Sequence, residues 1–209
     1  VLKETIIASQ NIRFEGDGYS DEWKDEAARR GLTNICHVPE AIMKFNDPQS
    51  RSVLIGEKIF NENELNCRIE VELEKFTKKV QIESRVLGDL AINHIVPTAV
   101  IYQNRLLENL RGLKEIFSTE EYEEMTADRK DLVREIQRRI LSIKKAVHDM
   151  TEARKVANHL GSQVEKAFSY EEKVRPYLEE IREHIDSLEL EIDDEIWPLP
   201  KYRELLFTK

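Results

Sequence analysis

Residues 127–169 have the sequence ADRKDLVREIQRRILSIKKAVHDMTEARKVANHLGSQVEKAFS, and this stretch decides the fold class. Its apolar residues recur at spacings of three, four and seven, the rhythm of one face of a long helix. They are Val133, Ile136, Ile140, Ile143, Val147, Met150, Ala157, Leu160, Val164 and Phe168. At a rise of about 1.5 Å per residue, the stretch predicts a helix on the order of 60 Å long.

Two more long helical segments are predicted on either side of this one. Asn61 begins a capping box, and apolar residues follow it at helical spacing. Pro97 removes a backbone donor, so it either kinks one long helix or separates two. After residue 169, apolar residues from Val174 to Ile192 predict a last helix, with a kink expected at Pro176.

The first sixty residues contain more turn signals. An amphipathic helix with Leu2, Ile6 and Ile7 on one side is expected first, and a loop with Gly16 and Gly18 follows it. Three short helices come next. The predicted caps and ends are Ser20 before a helix at 21–30, Pro39 in a helix ending at Asp47-Pro48, and Ser50 or Ser52 before the third.

The sequence therefore predicts an all-α fold, an antiparallel bundle of long helices with a small, loop-rich helical N-terminal part. The expected units are 1–60, the bundle at 61–196, and an apolar tail at 197–209. The composition agrees, since 35% of the 209 residues are charged, 40% are hydrophobic, and only 7 are Gly and 6 Pro.

Charge and cysteine usage exclude several classes. A net charge of −9 argues against a general nucleic-acid binder, and no apolar run is long enough to predict a membrane span. Cys36 and Cys67 form no CxxC pair, which favours free thiols in a reducing, cytoplasmic setting. Residues 129–155 carry nine bases and four acids, whereas residues 171–195 carry eleven acids and three bases, which favours pairing of these two segments.

The sequence indicates no catalytic, cofactor-binding or metal-binding residues. None of the five histidines has Glu three positions before it, and HExxH is absent, so no di-iron or zinc motif is present. EGDGYS, residues 15–20, lacks the third glycine and the lysine of the nucleotide-binding motifs and is acidic. Nucleophile motifs such as GxSxG are also missing.

The C-terminal segment WPLPKYRELLF, residues 197–207, crowds apolar side chains into a region where a solvated tail would be polar. Aromatic residues are favoured anchors in buried contacts. We therefore expect the tail to dock in a groove, either of its own chain or of a neighbour. The candidate docking residues are Trp197, Leu199, Tyr202, Leu206 and Phe207.

Four segments together resemble type III glutamine synthetase. They are FEGDGYSDEWKDEAARRGL (14–32), LNCRIEVELEKF (65–76), HIVPTAVIYQ (94–103) and WPLPKYRELLF (197–207). The resemblance runs along the whole chain and implies that the chain corresponds to the C-terminal part of the proteins in that family. Residues 1–60 would then be the end of the catalytic region, and the remainder a helical extension.

The resemblance implies a longer enzyme that joins ammonia to glutamate with ATP and uses magnesium or manganese. It also implies stacked rings of a homo-oligomer, in which this chain packs on an upstream catalytic domain and on neighbouring subunits. The family's metal, nucleotide and phosphate ligands lie upstream, so the chain alone is expected to be inactive.

The alternative from another class is a free-standing coiled-coil adaptor that binds a partner helix. An adaptor gene should begin with Met at or just before Val1. A segment of an enzyme should instead continue upstream into β-strands with metal-binding glutamates.

Overall fold

The computed structural model describes residues 2–10 and 13–206, apart from the side chains of Tyr202 and Arg203. The described residues form helices and loops without a strand, which confirms the all-α prediction. The α-helices are α1 (Leu2–Ala8), α2 (Asp21–Arg29), α3 (Val38–Met43), α4 (Pro48–Gly56), α5 (Glu62–Leu90), α6 (Val96–Ile116), α7 (Thr119–Asn158), α8 (Gln163–Ser169), α9 (Arg175–Glu191) and α10 (Tyr202–Leu205).

Three long helical segments form an antiparallel bundle. The first joins α5 to α6, the second is α7, and the third joins α8 to α9. Side-chain contacts fix their register. Gln81 contacts Asn158 and Gln103 contacts the carbonyl of Val133, so the first two segments run antiparallel. Gln163, at the start of the third segment, contacts Thr77 in the first half of the first segment. The third segment therefore runs parallel to the first.

The bundle core consists of the side chains that the helical spacing placed on one face. Ile136, Ile143, Ile181 and Leu188 are fully buried, and Tyr170 lies among them. Burial of an aliphatic side chain of this size contributes about 1.5–3 kcal/mol relative to exposure. The core between α7 and α9 confirms the predicted pairing of the basic and acidic segments.

The ion pairs of the basic helix are nevertheless made within α7. Arg134 pairs with Asp131, while Arg138 and Arg139 both pair with Glu135. Exposed pairs of this kind contribute only about 0.2–1 kcal/mol each. The apolar seam, rather than charge attraction, therefore holds α7 against α9.

Two π-turns accompany the bundle prolines. Residues Ala91–Ile95 form one ahead of Pro97, and residues Tyr170–Val174 form another ahead of Pro176. A proline ring clashes with the carbonyl four residues earlier and offers it no N–H. Widening the preceding turn to five-residue bonding relieves that clash. The chain stays helical across both prolines, so Pro97 does not split its helix.

The expected single helix over 127–169 is wrong at both ends. Ser118 and Glu121 form a capping box that starts α7 eight residues earlier, at Thr119. The helix ends at Asn158, and Ser162 caps α8 after a short turn containing Gly161. The apolar residues at 164 and 168 lie on the next helix of the bundle.

The N-terminal part packs against one end of the bundle. Ser20 caps α2 and Asn61 caps α5 with Glu64, as predicted. The third short helix begins at Pro48 with Asp47 as its N-cap, so the expectation of Ser50 or Ser52 was wrong. Residues from α3 and α4 cover a second apolar cluster on α5 and α8, which is built on Leu65, Ile69, Leu73 and Ala167.

The predicted division into 1–60, 61–196 and 197–209 stays a prediction. Its first boundary falls in the loop just before α5, which begins at Glu62. Cys36 and Cys67 are both free and exposed.

Candidate docking surfaces at the two ends of the chain

Helix α1 exposes its apolar side chains. Leu2 is 80% exposed, Ile6 49% and Ile7 61%, and none of the residues of α1 is buried. Apolar side chains grouped on one short helix mark a surface that another protein segment covers. The three exposed residues are the ones that the sequence placed on one side of an amphipathic helix.

Backbone contacts tie α1 to α2. The guanidinium of Arg13 donates to the carbonyl of Ile6 at 3.1 Å, and Arg30 donates to the carbonyl of Arg13 at 2.9 Å. Arg29 and Arg30 both bind the carboxylate of Glu26, and these hydrogen bonds lower the pKa of Glu26 to about 2. The two short helices are therefore linked by hydrogen bonds of arginine side chains rather than by a shared apolar core.

A ring contact covers part of the loop that joins them. The centroids of the Phe14 and Trp23 rings are 4.9 Å apart at an interplanar angle of 44°. A Cβ on Gly16 would lie 2.7 Å from Cζ of Phe14, which is closer than any real contact. A side chain at 16 would therefore displace the Phe14 ring from its present position against the backbone.

The first part of the apolar tail docks on its own chain. Trp197 is buried in the bundle core, and Ile196 and Leu199 pack against the same cluster. Leu206 is 80% exposed and Leu205 is 67% exposed, so the structure gives these side chains no cover. The side chain of Tyr202 and all of Phe207 lie outside the described part of the chain. Of the predicted docking residues, Trp197 is therefore buried, Leu199 is partly buried and Leu206 is exposed.

Lys201 anchors the tail, and the sequence analysis missed it. Its ammonium donates to the carbonyls of Glu189 and Ile192, at 2.6 and 3.1 Å, and lies 2.5 Å from the carboxylate of Asp194. Carbonyls at a helix C-terminus lack intrahelical partners and carry partial negative charge. Lys201 satisfies two of them at the end of α9. A lysine shortly after a helix end was the available sequence signal.

A polar junction joins the N-terminal part to the bundle. Glu171, whose side chain is 5% exposed, accepts Nδ1 of His37 at 2.9 Å and Arg175 at 2.7 Å on the same oxygen. His37 lies just before α3, whereas Glu171 lies in the second π-turn. The two residues are 134 positions apart, so no sequence pattern indicated the contact.

The described residues offer little to a metal ion. Across residues 2–10 and 13–206, His, Cys, Asp and Glu side chains form no group of three or more that could hold one. No helix in that part of the chain is long and apolar enough to span a membrane.

Fold and surfaces together define a helical packing module: a three-helix bundle with a small helical cap, and with uncovered apolar side chains at both chain ends. The chain belongs to the family described as "Glutamine synthetase C-terminal domain", which matches residues 1–114. The matched range covers the N-terminal part and nearly all of the first long helical segment.

Three larger proteins are similar over the chain. The glutamine synthetase of Bacteroides fragilis (strain YCH46) is 77% identical over 209 residues, which are 100% of this chain and 29% of that protein. The type-3 glutamine synthetase of Dictyostelium discoideum is 27% identical over 219 residues, covering 100% of this chain and 28% of its own length. The glutamine synthetase of Butyrivibrio fibrisolvens is 28% identical over 208 residues, with coverages of 100% and 29%.

The chain therefore spans less than a third of the length of the relatives it matches. It corresponds to a C-terminal segment of glutamine synthetase-like proteins, and the resemblance to the type III enzymes is confirmed.

Proposed function

We propose that this chain is the C-terminal packing and assembly segment of a glutamine synthetase, a ligase that forms glutamine from glutamate and ammonia with ATP. One observation carries the proposal: the full chain aligns at 77% identity with 29% of a glutamine synthetase. The uncovered apolar face of α1 supports it, because a short helix with no buried residue needs a neighbouring surface to lie on.

In this proposal ATP and magnesium or manganese bind upstream residues. The side chains described here do not fit a divalent-ion site, since in 2–10 and 13–206 no three potential ligands come together. Magnesium needs several oxygen ligands in near-octahedral geometry. No step of the reaction is therefore assigned to this chain.

Two contacts would carry the packing role. Helix α1, with Leu2, Ile6 and Ile7, would lie on the upstream catalytic domain of the same polypeptide. The exposed end of the tail, with Leu205 and Leu206, would lie on a neighbouring subunit of a homo-oligomer. A cytoplasmic location goes with this role in nitrogen assimilation.

The test uses the longer protein that contains this chain. Ile6→Ser with Ile7→Ser should weaken glutamine formation and lower the oligomer mass in sedimentation, because both changes place hydroxyls in an apolar contact. Leu141→Ser is the matched control, since Leu141 is 60% exposed on α7 and is assigned no contact. Equal activity and equal mass for the double variant and the control would contradict the packing role.

A second measurement tests where the chemistry lies. The 209-residue chain, given ATP, magnesium, glutamate and ammonia, should form no glutamine above the buffer rate. Formation at an enzyme-like rate would show that the catalytic residues are on this chain and would overturn the proposal. Binding of the 209-residue chain to a helix of a separate protein, together with unchanged activity and mass of the double variant of the longer protein, would favour the adaptor alternative.

A further inference from the structure

Two arginines face each other across the seam between α5 and α7. Gln81 donates from Nε2 to Oδ1 of Asn158 at 3.3 Å, which sets the antiparallel register of the two helices. One helical turn is close to four residues. The residue one turn after Gln81 is Arg85, and the residue one turn before Asn158 is Arg154. The register therefore places these two side chains opposite each other.

The helices are held close on the far side of this pair as well. Gly88 is buried one turn beyond Arg85, and a Cβ there would lie 3.5 Å from side-chain atoms of both Met150 and Val147. Contacts at Gln81 and at Gly88 thus bracket the arginines. The arginines cannot move apart by sliding or separation of the two helices without breaking these contacts.

A buried phenol lies at the same place. Tyr170 has a fully buried ring, and its hydroxyl donates to Oδ1 of Asn158 at 2.8 Å. The positive charges of Arg154 and Arg85 both act to lower the pKa of the phenol, which agrees with the placement of the two side chains by the helix register. Burial raises the pKa of Tyr170, so the phenol stays neutral and supplies no negative charge to the pair.

The pair has no counter-charge among the described residues. In the part of the chain that the structure describes, neither Arg85 on α5 nor Arg154 on α7 makes a hydrogen bond or an ion pair. The other arginines of α7 differ, since Arg134, Arg138 and Arg139 each pair with a carboxylate. The neighbouring acids have other partners, since Asp89 binds Asn93 and Glu152 binds Lys155. The pKa of Arg154 is lowered, first by burial of its guanidinium and then by the charge of Arg85.

We propose that Arg85 and Arg154, with the side-chain amide of Asn158, form a binding site for the phosphate group of a small molecule. Each guanidinium presents N–H donors in a planar fork that matches two oxygens of an oxyanion. Oδ1 of Asn158 already accepts from Gln81 and Tyr170, which leaves its Nδ2 group as a donor. A phosphate near pH 7.5 carries close to two negative charges, which matches the two arginines.

This site lies within the 209-residue chain and does not depend on the function proposed above. The test measures binding of inorganic phosphate to that chain at pH 7.5 by calorimetry and by thermal unfolding. Sodium chloride at the same ionic strength is the reference, and acetate serves as the monoanion. We expect saturable binding and a higher midpoint of unfolding in phosphate than in chloride, with a smaller effect of acetate.

The variants Arg85→Gln and Arg154→Gln should each weaken phosphate binding by about tenfold or more, because each removes a charged donor pair. Arg111→Gln is the control, since Arg111 is exposed on α6, and it should bind like the wild type. In chloride, both seam variants should unfold at the wild-type temperature or above it, because one of two repelling charges is gone.

That last result separates binding from a structural role, in which the same variants would unfold at a lower temperature in chloride. The proposal is overturned by a phosphate response that is equal in wild type, Arg85→Gln and Arg154→Gln. Absence of any response beyond the ionic-strength effect would overturn it as well.

Discussion

Trp197→Ala measures how firmly the C-terminal tail is docked. Trp197 is 8% exposed and belongs to the bundle core, so truncation removes most of a large buried ring and leaves a cavity. Substitutions of this kind cost about 3–5 kcal/mol. In a protein of this size, 1 kcal/mol lowers the midpoint of thermal unfolding by about 2–4 °C. We therefore expect a lower midpoint in both urea and heat.

The assay is urea unfolding followed by circular dichroism at the helix signal, with wild type and variant side by side. Leu206→Ala is the matched control on the same tail, because Leu206 is 80% exposed, and it should change the free energy of unfolding by less than about 0.5 kcal/mol. A loss below about 0.5 kcal/mol for Trp197→Ala would refute docking of the tail.

Trp197→Phe sharpens the same test. The indole N–H of Trp197 is buried and has no hydrogen-bond partner among the described residues. A buried, unsatisfied polar group costs about 1–3 kcal/mol, and phenylalanine removes that group while retaining most of the ring. Trp197→Phe should therefore cost much less than Trp197→Ala. Equal losses for the two variants would contradict this reasoning, because a phenyl ring would then stabilise the docked tail no more than a methyl group does.

Three further predictions follow from individual contacts. Lys201→Met should lower the free energy of unfolding by about 1–3 kcal/mol, because the carbonyls at the end of α9 lose a charged donor, and urea unfolding checks this. Ile143→Ala, at a fully buried position, should cost about 2–5 kcal/mol, whereas the exposed Leu141→Ala should stay within about 0.5 kcal/mol. Glu26 should titrate near pH 2 rather than near 4.5, as followed by carboxyl NMR, because Arg29 and Arg30 hold its charged form. Because folding lowers this pKa, the stability that Glu26 gains from Arg29 and Arg30 is fully present above about pH 4.5 and is lost as the pH falls toward 2. A measured pKa of Glu26 near 4.5 would contradict the hydrogen bonds of its carboxylate with Arg29 and Arg30.

Local signals in the sequence were sufficient for two helix starts, those of α2 and α5. Ser20 and Asn61 cap the helices that they were expected to cap, because an N-cap depends on residues only three positions apart. The same chemistry at Ser118 starts α7 eight residues before the start that apolar spacing predicts, because the capping box of Ser118 and Glu121 lies outside the apolar run. Capping boxes are therefore better guides to helix starts here than apolar spacing.

Apolar spacing failed where the chain folds back on itself. Leu160, Val164 and Phe168 continue the rhythm of residues 127–157, yet α7 ends at Asn158. The next helix, α8, also has a buried face, because Val164 and Ala167 belong to the second apolar cluster, and so its apolar residues follow the same helical spacing. Periodicity reports which face is buried, and it does not distinguish one straight helix from two helices joined by a tight turn.

The candidate surfaces show the same limit. The many apolar residues in segment 197–207 predicted Trp197 and Leu199 as docking residues, and both side chains pack against the bundle. Lys201 was missed because its partners are backbone carbonyls at the end of another element. The exposed end of the tail stays a prediction for a neighbouring subunit.

The sequence by itself determined the helical class, the approximate extent of the long helical segments, the caps at Ser20 and Asn61 and the relation to glutamine synthetase, because each rests on residues within a few turns of one another or on a linear match. The tertiary structure alone decided which helices touch and in what register. The contact of His37 with Glu171 and the facing of Arg85 and Arg154 exist only after that register is set. The physical reason is that the helical period determines which side of its own helix a side chain lies on. Distances between side chains on different helices are determined only when the three helical segments pack together.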